Sequence, residues 1–369
     1  MILRIEDIKE VCSKLLSALD SDNLSTITET LALTTVKNQL ILSVTNREYI
    51  VKTKIPLFNN ESFNATVNAS VFLKLMNQIT TETVELNIDN HSLVVKANGT
   101  YTLPMIYDGE SLLKLPDIII ENETASFKMS TDILSDISRY NSKEITKEGA
   151  VSPVQKLYYV DNKGCITFTT GACVTEFNLD ADVKILLDNK LVKLFKLFSG
   201  DEVQVKLGED TLSSGVTQTK IKFESPEVEL TSKIPSDSNL INSVPCDAIR
   251  TMATESYPYS VVLHKATLLD IINRLMLFNT DNVRKMWGKF EFTSEGINIF
   301  DRLETNTEYI KYENEINITD TIEIILEFID LKSVLDTIKD DFITFNFGNN
   351  RSVVIQRPGV YNVIPECVI

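Results

Sequence analysis

Lys190, Lys193 and Lys196 recur at every third residue of the stretch from Leu187 to Gly200, while Leu191, Leu194, Phe195 and Phe198 fall at i, i+3, i+4 and i+7. This spacing predicts one helix with an apolar face and a cationic face, capped by Asp188 or Asn189 and followed by a turn that suits Gly200. The chemistry open to such a row is electrostatic: on a lone surface helix it only solvates, and phosphate-binding surfaces are built from the same side chains. Other chemistry has less to stand on. The sequence contains no G-x-x-x-x-G-K-[ST] or G-x-G-x-x-G phosphate cradle and no G-x-S-x-G nucleophile elbow. His91 and His264 are isolated, so a His-based metal site or triad would need distant pieces, and both read as structural or solvated residues. The carboxylates of Glu6, Asp7, Asp132, Asp188 and Asp330 sit at expected helix starts, where they complement the dipole. No acid/base pair stands out, and the chain reads as a non-enzyme without cofactor or metal.

The lysine helix has counterparts. Ser70 to Thr80 sets Val71, Phe72, Leu75, Met76 and Ile79 against Lys74, and Asp330 to Asp340 sets Leu331, Val334, Leu335 and Ile338 against Lys332 and Lys339. Each of the three runs into an alternating strand, Val84 to Ile88, Val203 to Leu207 and Ile343 to Phe347. A second set of helices is expected at Glu6 to Leu19, Asp132 to Tyr140 and Thr267 to Phe278, the last with Arg274 outside its apolar face. The order strand, helix, strands, helix, strands thus occurs three times, at a period of about 120 to 135 residues, far longer than solenoid repeats. Leu115-Pro116-Asp117 and Pro235 to Pro245 read as linkers, which divides the chain into domains 1–121, 122–245 and 246–369. Helices gathered on one side of antiparallel sheets make an α+β fold.

A chain of 369 residues with 43% hydrophobic and 24% charged residues has an ordinary soluble, globular composition. It has no apolar run of about 18 residues to span a membrane. Its first residues lack the basic and apolar regions of a signal peptide, so a cytoplasmic protein is expected. Five cysteines without a C-x-x-C pair read as reduced, small hydrophobes. A net charge of -16 argues against a phosphate-binding protein. Screening over a Debye length of about 8 Å still leaves room for one basic face on an acidic molecule.

Three repeats and four local stretches give the chain its family resemblance. The stretches are L-I-L-S-V-T-N-R-E at Leu40 to Glu48, T-T-G-A-C-V at Thr169 to Val174, K-I-P-S-D at Lys233 to Asp237, and the ending V-Y-N-V-I-P-E-C-V-I. The chain resembles the bacterial beta-type DNA sliding clamp, the processivity subunit of the replicative DNA polymerase, in a diverged form such as a phage would encode. The resemblance implies three tandem clamp domains per chain and a homodimeric ring, helices on its inner face and sheets on its outer face, around duplex DNA of any sequence. Its partners would be the replicative polymerase and the clamp loader. DNA-facing cations would be Lys74, Arg139, Lys143, Lys147, Lys190, Lys193, Lys196, Arg274, Arg284, Lys285, Lys332 and Lys339. A partner-peptide groove would be lined by Thr169, Gly171, Val174, Pro235, Leu240, Val363, Ile364 and Pro365. At the dimer interface Tyr101 and Leu103 would meet Met276 and Leu277. The chain departs from the family at Ala172-Cys173, commonly a His-Arg pair, at its longer tail, and at the acidic loop Asp20 to Asn23. A repeat-built enzyme with a junction site, and a clamp-like scaffold that does not encircle DNA, are the alternatives.

Overall fold

Among the described residues each of the six helices expected from apolar spacing is present in whole or in part, preceded by one strand and followed by three, and the one expected over Asp132 to Tyr140 is α-helical to Asp136 and continues as a π-helix, Ile137–Asn141. In the first of these six units Ile2–Arg4 leads into Ile5–Leu16, followed by Thr30–Val36, Gln39–Thr45 and Tyr49–Pro56. The helices of the others are Ala69–Gln78, Thr131–Asp136, Asn189–Val192, Lys265–Met276 and Phe328–Leu335. The computed structural model describes residues 1–19, 25–58, 61–145, 151–211, 215, 217–278, 286–348 and 352–367, and the acidic loop Asp20 to Asn23 lies outside them. These residues form two compact units, Met1–Asp132 with Lys193–Ser236, and Ile133–Val192 with Asp237–Ile369.

Within the first unit, Ile2–Arg4, Thr83–Asp89, Ser92–Lys96 and Thr100–Pro104 form a four-stranded sheet in that order. Its eight-stranded sheet joins consecutive repeats, because Tyr49–Pro56 pairs with Val228–Ile234 in the register Val51 to Leu230. In the second unit, Ala172–Glu176 pairs likewise with Val360–Pro365, Val174 opposite Tyr361, inside another eight-stranded sheet. Each seam gives the edge amides of one repeat a partner in the next. A four-stranded sheet of Thr307–Lys311, Gly296–Phe300, Trp287–Phe292 and Ile322–Glu327 completes the second unit. All strand pairs are antiparallel, and the fold is α+β with three tandem domains.

The apolar stripes pack as their spacing requires, with some shifts. Ile8, Val11, Cys12 and Leu15 are buried in the first helix, and Leu268, Ile271, Ile272 and Leu275 in Lys265–Met276. The third repeat's core closes around aromatic rings, Phe292 and Phe347 lying 4.0 Å apart. Val71 was expected inside but is 55% exposed, and Leu73 is buried in its place. The Asn68 side chain caps the Val71 amide at 3.0 Å, so the helix starts at Ala69 and its inner stripe becomes Ala69, Phe72, Leu73 and Met76. The helix expected from Asp330 starts at Phe328, which puts Asp330 in the first turn rather than at the cap. The stretch expected as the linker Pro235 to Pro245 contains a helix, Ser238–Asn242, capped by Asp237, and a further helix, Cys246–Thr254, follows it. That second helix buries only Ile249 and Ala253, too few large apolar residues to show as a stripe.

Candidate functional site

The lysine stretch begins on a cap. The Asp188 carboxylate accepts the Leu191 amide at 2.8 Å, and its carbonyl accepts that of Val192 at 3.1 Å. The expected single helix is a short α-turn, Asn189–Val192, that tightens into a 3-10 helix, Lys193–Leu197. With three residues per turn, positions i and i+3 eclipse one another, so Lys193 stands directly above Lys196. Leu191, Leu194, Phe195 and Phe198 are buried, and the last two rings lie 5.0 and 6.2 Å from Phe223. Lys190, Lys193 and Lys196 are all exposed, Lys190 in the second compact unit and the others in the first. Gly200 ends the segment at φ +94, a conformation that favours glycine.

Of the remaining candidate cations, Lys74, Lys143, Arg274 and Lys339 are exposed. Arg274 is gripped by Glu308 at 2.8 and 2.5 Å, and that hydrogen bond, outweighing desolvation, raises its pKa further. Arg139 donates to the Thr337 carbonyl at 2.7 Å, and the Lys332 ammonium donates to Asn273 at 2.5 Å. Lys147, Arg284 and Lys285 lie outside the described residues.

A second site forms around the seam in the second unit. The turn Thr169 to Gly171 leads into Ala172–Glu176, and one carboxylate organises it. Glu144, 2% exposed, accepts the Thr169 and Gly171 amides at 3.1 Å each and the Thr169 hydroxyl at 2.5 Å. From the other side Gln155 donates to the Thr169 carbonyl at 3.1 Å, while its own oxygen accepts the amides of Val151 and Ser152. Gly171 lies so close to the last strand that a Cβ there would stand 2.4 Å from the Val363 carbonyl oxygen and 3.3 Å from Pro365. Only glycine allows that approach.

Beside this turn, Val174 and Val363 pack with Val154, Val244, Ile249 and Ala253 in one buried cluster. Leu157, Phe168, Leu240, Ile241, Tyr257 and Tyr361 lie against it only partly covered. Asp161 fixes the covering helix through a two-pronged bond to Arg250, at 2.7 and 2.9 Å. Burial works against the Arg250 charge, but Asp161 outweighs it and holds the guanidinium pKa above its ordinary value. Burial, then Glu176, pushes the Tyr361 phenol up. The arrangement is a partly covered apolar shelf along a backbone seam.

Of the residues expected to line such a groove, Thr169, Gly171, Val174, Leu240, Val363 and Pro365 are brought together here. Ile364 is not. Strand alternation turns it to the opposite face, where it is 1% exposed in the third repeat's core. Pro235 belongs to the first compact unit. Glu144 and Gln155 escaped sequence reasoning. The Ser152-x-x-Gln155 spacing of a capping box was a readable signal for the second, whereas nothing in the sequence marked Glu144. Of the interface candidates, Tyr101 is 36% and Leu277 71% exposed, Leu103 is buried at 5%, and Met276 is half-buried against the core.

No family model matches the sequence, and no curated protein matches it. Solved structures do. A DNA polymerase III subunit beta from Borrelia burgdorferi superposes with a TM-score of 0.80 at 14% identity, over 100% of this chain and 99% of that one. The beta subunit from the DNA polymerase of Streptococcus pyogenes gives 0.80 at 15% identity over the same shares. The fold is that of the bacterial β sliding clamps. A third such clamp, from Helicobacter pylori and bound to a DNA ligase peptide, gives 0.73 at 15% identity over 100% and 99%. The clamp fold therefore accounts for the chain from end to end, through backbone architecture rather than residue identity.

Proposed function

We propose that this chain is a DNA polymerase processivity factor, a non-enzymatic sliding clamp that closes as a homodimeric ring around duplex DNA. The observation that carries this reading is the clamp fold itself, matched over the whole chain and 99% of a polymerase III beta subunit. Two open edges support it. Thr100–Pro104 ends one sheet of the first unit and Thr307–Lys311 ends one of the second, each with an unpaired side among the described residues. Tyr101 and, at 50% exposure, Tyr309 project from them. An exposed edge is a liability unless another chain covers it, and pairing one edge with its opposite number on a second copy covers both. The domains then run 1–121, 122–245 and 246–369, six per ring, with the exposed lysines contacting phosphates without reading sequence. The apolar shelf at the Ala172–Glu176 seam takes a peptide from the polymerase, the loader or another replication protein, as the H. pylori clamp takes one from DNA ligase.

Solution mass tests the dimer, and retention on circular but not linearised DNA after loading tests the ring. Reversing Lys190, Lys193 and Lys196 to glutamate, which leaves the buried face intact, is expected to weaken processive synthesis and lower the salt slope of DNA binding by about 0.9 per lost phosphate contact. Unchanged processivity and slope would refute the assignment of these lysines. The charge of -16 and the Arg274–Glu308 pair favour a second reading, a scaffold that does not encircle DNA. Equal loss from circular and linear DNA would select it.

A further inference from the structure

The two seams between repeats are equivalent in the chain but opposite in chemistry. Each joins the third strand after a repeat's first helix to the last strand of the next repeat. Each is preceded by a tight turn, Thr169 to Gly171 in one and Thr45 to Glu48 in the other. Where the second seam carries the apolar shelf, the first borders a solvent-open cavity of about 230 Å³ lined by Arg47, Lys220, Lys233, Gln218, Thr45 and Asp117. The linker around Pro116 forms one wall.

The charges in this cavity do not cancel. Lys220 is bound to Asp210 and donates to the Ile119 carbonyl at 2.7 Å, and Asp117 is held by Lys52 at 2.8 Å. Arg47 and Lys233 are exposed, and neither meets a carboxylate within 4.0 Å among the described residues. Both line the same cavity: the Lys233 amide donates to the Glu48 carbonyl at 3.0 Å, one residue from Arg47, and the Arg47 guanidinium donates to the Ser25 hydroxyl at 3.3 Å. Arg47 sits at φ +78, a region that side-chain-bearing residues seldom adopt. Its amide is tied to the Thr45 hydroxyl at 3.0 Å, and the Asn46 side chain accepts the Glu48 and Tyr49 amides at 2.9 and 2.8 Å. The turn thus holds a long cation that lines the cavity in a conformation that would suit glycine better.

We propose that the Tyr49–Pro56 and Val228–Ile234 seam is a second docking site, which takes the carboxylate side chains of an acidic peptide segment. Two cations without a carboxylate partner among the described residues match singly charged carboxylates, and the resident Asp117 opposes a more highly charged phosphate. That the carboxylates arrive on a peptide rests on the reading of the equivalent apolar seam, whereas the anion site does not.

The test uses the full chain and two fluorescent peptides, one with four consecutive glutamates and one with four lysines, followed by anisotropy at low salt. The glutamate peptide is expected to bind saturably, whereas any attraction of the lysine peptide to a chain of net charge -16 should not be weakened by the charge reversals that follow. Arg47→Glu or Lys233→Glu, both on exposed side chains, should each weaken binding by about tenfold or more. Leu240→Asp, at the apolar seam, should leave it unchanged. An apolar clamp-binding peptide should give the reverse pattern, so failure of either site is read separately. Absence of saturable binding, or equal binding by both charge reversals and the parent chain, overturns the proposal. Displacement by inorganic phosphate at lower concentration than by unlabelled glutamate peptide reassigns the site to phosphate and overturns it too.

Discussion

Removing the Glu144 carboxylate measures how far one buried side chain holds the Thr169 to Gly171 turn in place. Glu144→Ala takes the acceptor away from the Thr169 and Gly171 amides and from the Thr169 hydroxyl. The hydroxyl keeps a partner in the Glu144 main-chain carbonyl at 3.3 Å, and the Thr169 amide keeps the Gly171 carbonyl at 3.0 Å. The Gly171 amide is left with none of these. One half-buried donor left without a protein acceptor and two weakened ones come to at most about 3 kcal/mol, the upper end of the 1–3 kcal/mol range for an orphaned group, because water can reach part of this turn. Glu144→Gln keeps an oxygen in place and gives up only the charge assistance, about 1 kcal/mol. For a unit of this size 3 kcal/mol lowers the melting temperature by about 6–12 °C. The single tryptophan, Trp287, lies in the same compact unit, so its fluorescence through a urea titration reports the loss. Equal stabilities for the two variants, or an alanine variant within about 0.5 kcal/mol of the parent, would refute the reasoning, since surface substitutions lie in that range.

Acid and thiol chemistry give two further checks. Burial opposes the Asp301 charge, but hydrogen bonds from Asn306 and Thr305 outweigh it and hold its pKa below the ordinary carboxylate range. Its contribution to stability is therefore complete above the unfolded value of about 3.9 and drains away as pH falls through the lower folded value. Asp301→Asn should flatten that part of the acid-unfolding curve followed at Trp287, and superimposable curves would contradict the assignment. Cys12, Cys165 and Cys173 are buried, and burial pushes the first two thiols well up, whereas Cys246 and Cys367 are half-buried. A thiol reagent should modify at most two cysteines quickly in the native protein and all five after denaturation. Three or more fast thiols would show that the core packs differently.

The three-fold repeat, the α+β class and the buried stripes were legible because periodicity is a local property: Leu191, Leu194, Phe195 and Phe198 announce their common face within a dozen residues. Val174, Leu240 and Val363 were reached through the resemblance rather than through spacing, and the structure packs them in or against one apolar cluster. Three things depended on distant segments meeting. Ile364 faces the third repeat's core and Val363 the apolar cluster beside the Thr169 turn, a choice made by the pairing with Ala172–Glu176 across almost two hundred positions of sequence. Glu144 acquires its role only because Thr169 and Gly171 bring three donors to its carboxylate. Arg47 and Lys233 become neighbours only when the first repeat pairs with the second. Spacing along one element carries the burial energy of that element, and so appears in the sequence. Hydrogen bonds and charges between elements depend on a register that no single stretch contains, and tertiary structure alone decides them.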